Sequence, residues 1–193
     1  METNLRNHII SDSHYLLMQE KDNGYTVDSL AKDMKRSKKT IYKVFGSKSE
    51  LIKEVITTHQ AHLLKQFNEI AKSDESEIDK LIKYIYRIDG SLREIRLSRW
   101  YQQAKQYVRL KEKYFEIRIE IYEVYLKIGL LPYNDHLNHY QKSLQTIIQF
   151  IVSSLEYNYF YRSVDDIKND TPNQYVDELV FLLHGCLISL DDV

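Results

Sequence analysis

The sequence predicts an all-α fold of about nine helices, and three observations predict it. Glycine and proline number only 5 and 2 among 193 residues, far below average usage, so tight hairpins have few residues to build them. Apolar residues recur at three- and four-residue spacing through most of the chain, the period of a helix with one buried face. The intervals between these segments carry helix start and stop chemistry, and no stretch alternates apolar with polar as a half-buried strand would. Hydrophobic and charged contents of 43% and 28% are those of a globular chain. The one cysteine, Cys186, excludes an intrachain disulfide framework and a cysteine-rich zinc site. No basic-then-apolar leader and no bilayer-length apolar run is read, so the expected location is the cytoplasm, without a membrane partner.

A first helix is expected from about Leu5 to Lys21, with Ile9, Tyr15 or Leu16, and Leu17 or Met18 on its apolar side. Asp22-Asn23-Gly24 supplies turn chemistry to end it. Thr26 caps a second helix with Val27, Leu30, Ala31 and Met34 facing inward, and Ser37 caps a short third one, Lys38 to Val44. That third helix turns Ile41 and Val44 or Phe45 inward, and Gly46 closes it. Ser47 opens a fourth helix with Glu50 three residues on, the spacing of a capping box. This helix runs to about Lys72, with Leu51, Val55, Ile56, Leu63, Phe67 and Ile70 near one side.

After a polar break at Ser73 to Ser76, a fifth helix carries Ile78, Leu81, Ile82, Ile85, Ile88 and Leu92, with Gly90 a point of weakness or kinking. Ser98 to Gly129 reads as two further helices carrying Trp100, Tyr101, Ala104, Val108, Phe115, Ile119, Tyr122 and Leu126. Gly129 to Asp135, with Pro132, is expected to be a loop. A long helix from about His136 to Arg162 follows, striped by Leu144, Ile148, Ile151, Leu155 and Tyr159. Ser163 to Asp170 is expected as a polar connection. Thr171-Pro172 then starts a last helix carrying Val176, Leu179, Val180, Leu183, Cys186, Leu187 and Leu190.

Net charge is −1 overall, but it is unevenly spread. Between residues 32 and 48 stand Lys32, Lys35, Arg36, Lys38, Lys39, Lys43 and Lys48 against the single acid Asp33, which leaves −7 on the rest. A local basic cluster on an acidic body is the footprint of a nucleic-acid-binding module, although a solvated charged face has the same composition.

The segment Gly24-Tyr25-Thr26, Leu30-Ala31, Ser37-Lys38-Lys39-Thr40-Ile41-Tyr42-Lys43-Val44-Phe45 and Ser47-Lys48-Ser49-Glu50-Leu51 resembles the N-terminal pattern of the tetracycline-repressor (TetR) family. The likeness covers about a quarter of the chain, Gly24 to Leu51. It implies a three-helix helix-turn-helix domain over 1–47 and a helical ligand-sensing and dimerisation domain over 48–193. The third helix would enter the major groove of double-stranded DNA. The resemblance implies DNA contact for Thr26, Thr40, Tyr42, Lys43 and Lys48, and charge and position add Lys38 and Lys39. Ser37 as cap turns the positive end of the helix dipole toward phosphate, and Ile41 and Phe45, four apart, pin the helix to the body. The implied function is a transcription regulator, a repressor released from a palindromic operator by a small-molecule effector. The implied assembly is a homodimer paired through its last two long helices. An architectural or protein-partner-controlled factor on the same fold is the alternative.

Departures from the family pattern lie in the turn. Lys35 stands where a glycine is usual, so a left-handed backbone there costs roughly 1–2 kcal/mol. Arg36 replaces a small aliphatic residue, and either its head reaches outward or the turn is built differently. Lys39 also replaces a usual glycine.

Other constellations carry less. His59 with His62 and His136 with His139 are spaced three apart on helices, but neither pair shows a third ligand, so no metal is expected. His184 and Cys186, two apart on a helix, do not face each other. With no glycine-rich phosphate loop or nucleophile elbow, no enzyme activity and no cofactor are expected. Tyr84, Trp100, Tyr101, Tyr107, Tyr122 and Tyr125 are candidates for an aromatic-lined effector pocket, although tyrosine and tryptophan at helical spacing more often fill a core.

Overall fold

A computed structural model describes residues 2–18, 26–97, 108–139, 143–169, 171 and 174–188. Among them every regular element is helical, as expected: α1 (Glu2–Met18), α2 (Val27–Asp33), α3 (Lys38–Val44), α4 (Lys48–Ala71), α5 (Glu77–Leu97), α6 (Val108–Leu130), a 3₁₀ turn (Leu131–Tyr133), α7 (Asn134–His139), α8 (Leu144–Phe160), α9 (Val164–Asn169) and α10 (Gln174–Ile188). No helix among the described residues is long and apolar enough to cross a membrane. The expectations for Asp22-Asn23-Gly24, Trp100, Tyr101, Ala104, Tyr107, Pro172 and Leu190 lie outside the described residues, as do the side chains of Val108, Phe115 and Cys186.

Packing divides the chain into two compact units. The first comprises Met1–Leu64 with Leu97–Phe115, the second Lys65–Arg96 with Glu116–Val193. The first unit thus takes in the greater part of α4, as far as Leu64. The reason is visible along the α1–α4 seam of the first unit. Arg6 bridges to Glu54 at 3.1 Å, His14 lies against His59, and Leu51, Ile52 and Val55 are buried.

In the second unit Phe67, Tyr84, Tyr122 and Tyr125 form an aromatic cluster, with Phe67 stacked on Tyr125 at 4.6 Å between centroids. Tyr125 donates a hydrogen bond to Asn68 Oδ1 at 3.0 Å. Three of the six pocket candidates are thus buried packing residues. Helix α5 runs through Gly90 without interruption.

Three expectations for the C-terminal half are corrected. Gly129 begins no loop: it lies inside α6, and a Cβ there would stand 3.1 Å from Leu81 Cδ1 and 3.2 Å from Tyr84 Cδ2. Its small size lets α6 approach α5 closely. The long helix expected from His136 to Arg162 is two helices, because Ser143 caps a fresh start by accepting from Thr146 N–H at 3.1 Å. The connection after Ser163 contains α9, capped by Ser163 at the Asp166 N–H and anchored by Ile167, which is buried.

The second core also holds polar groups. Arg118 is fully buried and donates to Ser91 Oγ and, at 3.1 Å, to Tyr122 Oη. Buried Asp89 accepts a 2.7 Å hydrogen bond from Tyr159. Burial raises the Asp89 carboxyl above its ordinary range, the Asp177 charge adds to that, and the Tyr159 hydrogen bond and Arg93 oppose it.

Candidate nucleic-acid interface

Helices α2 and α3 are built by local hydrogen bonds that their sequences specify. Thr26 Oγ1 accepts from Ser29 N–H at 3.0 Å while Ser29 Oγ accepts from Thr26 N–H at 3.1 Å, a reciprocal cap. Ser37 Oγ accepts from Thr40 N–H at 3.1 Å and shares a 2.9 Å hydrogen bond with Thr40 Oγ1. At the start of α4, Ser47 Oγ accepts from Glu50 N–H at 3.1 Å. Each cap satisfies an N–H that the first helical turn leaves without an intrahelical partner.

The turn between α2 and α3 answers the question raised by Lys35. Among the described residues it is the one non-glycine position with positive φ, at 51°. Lys35 N–H reaches Lys32 C=O at 3.1 Å and Arg36 N–H reaches Ala31 C=O at 2.8 Å. These are the two bonds of a Schellman termination, which requires a left-handed residue after the cap. A lysine here adopts the backbone conformation that glycine reaches without steric cost. Arg36 is exposed, so its guanidinium stays in solvent. Met34, expected to face inward, caps α2 and is only half-buried, because the helix ends one residue before it.

Helix α3 has two chemically distinct sides. Ile41 and Phe45 are buried at 1% and 2% exposure. Lys38, Lys39, Tyr42 and Lys43 are exposed, with Tyr42 at 42%. Thr40 is half-buried against its cap. Of Val44 or Phe45, it is Phe45 that packs inward; Val44 is half-buried. Thr26 is exposed at the start of α2, and Lys48 is half-buried at the start of α4. Three lysines and a tyrosine therefore share the outward side of one short helix.

Two features of this surface depend on residues that sequence reasoning missed. The Lys38 ammonium lies 2.5 Å from Asp28 Oδ1, an exposed ion pair joining α2 to α3. Lys38 is thus partly committed within the protein, and Lys39 and Lys43 carry more of the outward charge. Arg6, from α1, donates to the Val44 carbonyl at 3.3 Å, sits 4.5 Å above the Phe45 ring and bridges to Glu54. One guanidinium therefore holds the C-terminal end of α3 to both α1 and α4. The only sequence signal was an arginine at helical spacing from Ile10, Ser13 and Leu17, on the buried side of a weakly amphipathic helix, too little to single it out.

No protein-family model matches the chain, and no curated protein matches it significantly.

Proposed function

We propose that this chain is a DNA-binding transcription regulator of the TetR type, acting as a homodimer on a two-fold-related operator. One observation carries the reading: α3 presents Lys39, Tyr42 and Lys43 outward while Ile41 and Phe45 fasten its opposite side. A cationic helix fixed from behind is what the major groove accepts. Lys39, Lys43 and Lys48 would supply phosphate contacts and salt dependence, Thr26 a further phosphate contact, and Thr40 and Tyr42 base discrimination.

Dimer formation is supported by apolar side chains left in solvent on the long helices near the end of the chain. Phe150, Tyr157 and Tyr161 are 59%, 62% and 78% exposed along one side of α8. Phe181 and Leu182 are 77% and 62% exposed on α10. Large apolar surfaces of this kind mark association sites on soluble proteins, and neighbouring Gly185 leaves open space for a close-packed partner.

Release by a small-molecule effector is the proposed regulatory step, with the second unit as its receptor. Arg118, Ser91, Asp89 and Asn158 are polar or charged groups buried in the second unit, and such departures from an apolar core concentrate at functional sites. Control by a protein partner is the second reading. The exposed stripe Val124, Ile128 and Leu131 at the end of α6 favours it.

The test is selection from random duplexes with the full-length chain, followed by titration of binding against salt. Recovery of a two-fold-related site is expected. Lys39→Ala and Lys43→Ala should each weaken binding to all duplexes and reduce the salt slope by about one unit. Indifference to duplex DNA at low salt would remove the proposal.

A further inference from the structure

His14 and His59 are 45 positions apart in the chain and meet across the α1–α4 seam of the first unit. His14 Nε2 lies against His59 Nδ1, and the two rings stack with centroids 4.6 Å apart and 27° between their planes. Both residues are half-buried. The sequence offered a different pairing, His59 with His62, but His62 is exposed on another side of α4.

Two imidazole nitrogens brought together have three chemical options. One can donate and the other accept, both can be protonated and repel, or both can be bare lone pairs directed at a shared cation. Neutral imidazole nitrogen is the commonest protein ligand for a transition metal, and imidazole selects zinc, copper or nickel over magnesium or calcium. The approach is set by a backbone already held by packing: buried Ile10 and Leu17 lie about one turn either side of His14, buried Val55 and Leu63 one turn either side of His59, and the Arg6–Glu54 bridge joins the same two helices. The ligands therefore come from two helices whose spacing is fixed independently of them, as a preformed site requires.

We propose that His14 Nε2 and His59 Nδ1 bind a divalent transition metal of the zinc type, clamping α1 to α4. With metal–nitrogen distances of about 2.0–2.1 Å and tetrahedral angles, the two nitrogens would stand about 3.3 Å apart. Reaching that geometry takes a parting and turning of the stacked rings, so that the in-plane lone pairs of the two nitrogens converge on the ion. Oxygen donors, water among them, fill the remaining positions. The first unit then gains a cross-link between its N-terminal helix and the helix that follows α3. This proposal does not depend on the DNA-binding reading, and its test involves no DNA, so either can fail alone.

The experiment is calorimetric titration of zinc chloride into the full-length chain at neutral pH. One equivalent per chain is expected, with affinity falling at least ten-fold in His14→Gln and in His59→Gln and unchanged in His62→Gln. Far-UV circular dichroism checks that each variant folds. If one does not, long-range proton–nitrogen spectra of the wild-type histidine rings decide the matter: zinc should shift His14 Nε2 and His59 Nδ1. The proposal is overturned by absence of stoichiometric binding to the wild type. It is equally overturned by undiminished affinity in both glutamine variants, or by shifts confined to His8, His62 or the other histidines.

Discussion

Replacing Lys35 with glycine should stabilise the chain, although it removes a side chain and leaves every hydrogen bond of the turn in place. Lys35 holds φ at 51° because the two closing bonds, to Lys32 and Ala31 carbonyls, can form only if the chain reverses there. For a residue with a Cβ the left-handed conformation costs roughly 1–2 kcal/mol. Glycine escapes that cost but loses more freedom on folding, a penalty of roughly 0.5–1 kcal/mol. The mid-values of the two ranges leave a net gain of about 0.75 kcal/mol, or a rise in Tm of about 1.5–3 °C for a chain of this size. Lys35 is exposed, so no packing is sacrificed. Thermal unfolding followed by far-UV circular dichroism measures the effect. Lys35→Ala is the decisive control. It deletes the same charge but keeps the Cβ, so its Tm should stay near the wild-type value. Lys35→Asn should fall between alanine and glycine, since asparagine tolerates the left-handed region better than most residues. A glycine variant no more stable than the alanine variant would refute the reasoning.

Arg6→Ala should destabilise the chain by about 1–2 kcal/mol in urea unfolding, combining a hydrogen bond to Val44, a cation–π contact with Phe45 and a partly exposed ion pair with Glu54. If Glu54→Ala costs as much as Arg6→Ala, the ion pair alone matters and the account of Arg6 as a three-way tie is wrong. Gly129→Ala should cost about 0–2 kcal/mol net, because crowding of the new methyl against Leu81, its Cα included, and Tyr84 outweighs the roughly 1 kcal/mol that alanine gains over glycine in a helix; a stabilised variant would show that seam to be loose. Asp89→Asn should change how stability depends on acid. The folded pKa of Asp89 lies above its unfolded value of about 3.8, so the folded state binds the proton more tightly. Stability from this group therefore falls as pH rises from that value through the folded pKa. The asparagine variant should lose that component of the slope, measured as Tm against pH, and an unaltered profile would contradict the assignment. Phe181→Glu, at an exposed position on α10, should shift sedimentation toward the monomer without lowering helix content; an unchanged oligomeric state would place pairing elsewhere.

Much of the fold was legible because helix starts are local chemistry. Thr26, Ser37 and Ser47 each hydrogen-bond an N–H three residues ahead, and that geometry needs nothing from the rest of the chain. The reading failed where the competing signals were equally local but weaker. Ser143 and Ser163 are caps of the same kind, yet they sit in stretches that also read as an uninterrupted helix and as a polar connection. Gly129 was misread because glycine near a proline resembles a loop signal, whereas its reason is the nearness of Leu81 and Tyr84, more than forty positions away.

For the candidate interface, sequence alone determined which residues form α3, which cap starts it and which side is cationic, since a seven-residue helix leaves little choice once Ile41 and Phe45 take the inward positions. Tertiary structure alone decided that Arg6 holds the end of that helix, that Lys38 is drawn to Asp28 and that His14 meets His59. Periodicity reports only which way a side chain faces along its own helix. Which residue it meets depends on how separate helices are offset against one another, and that offset is set by packing across the whole seam.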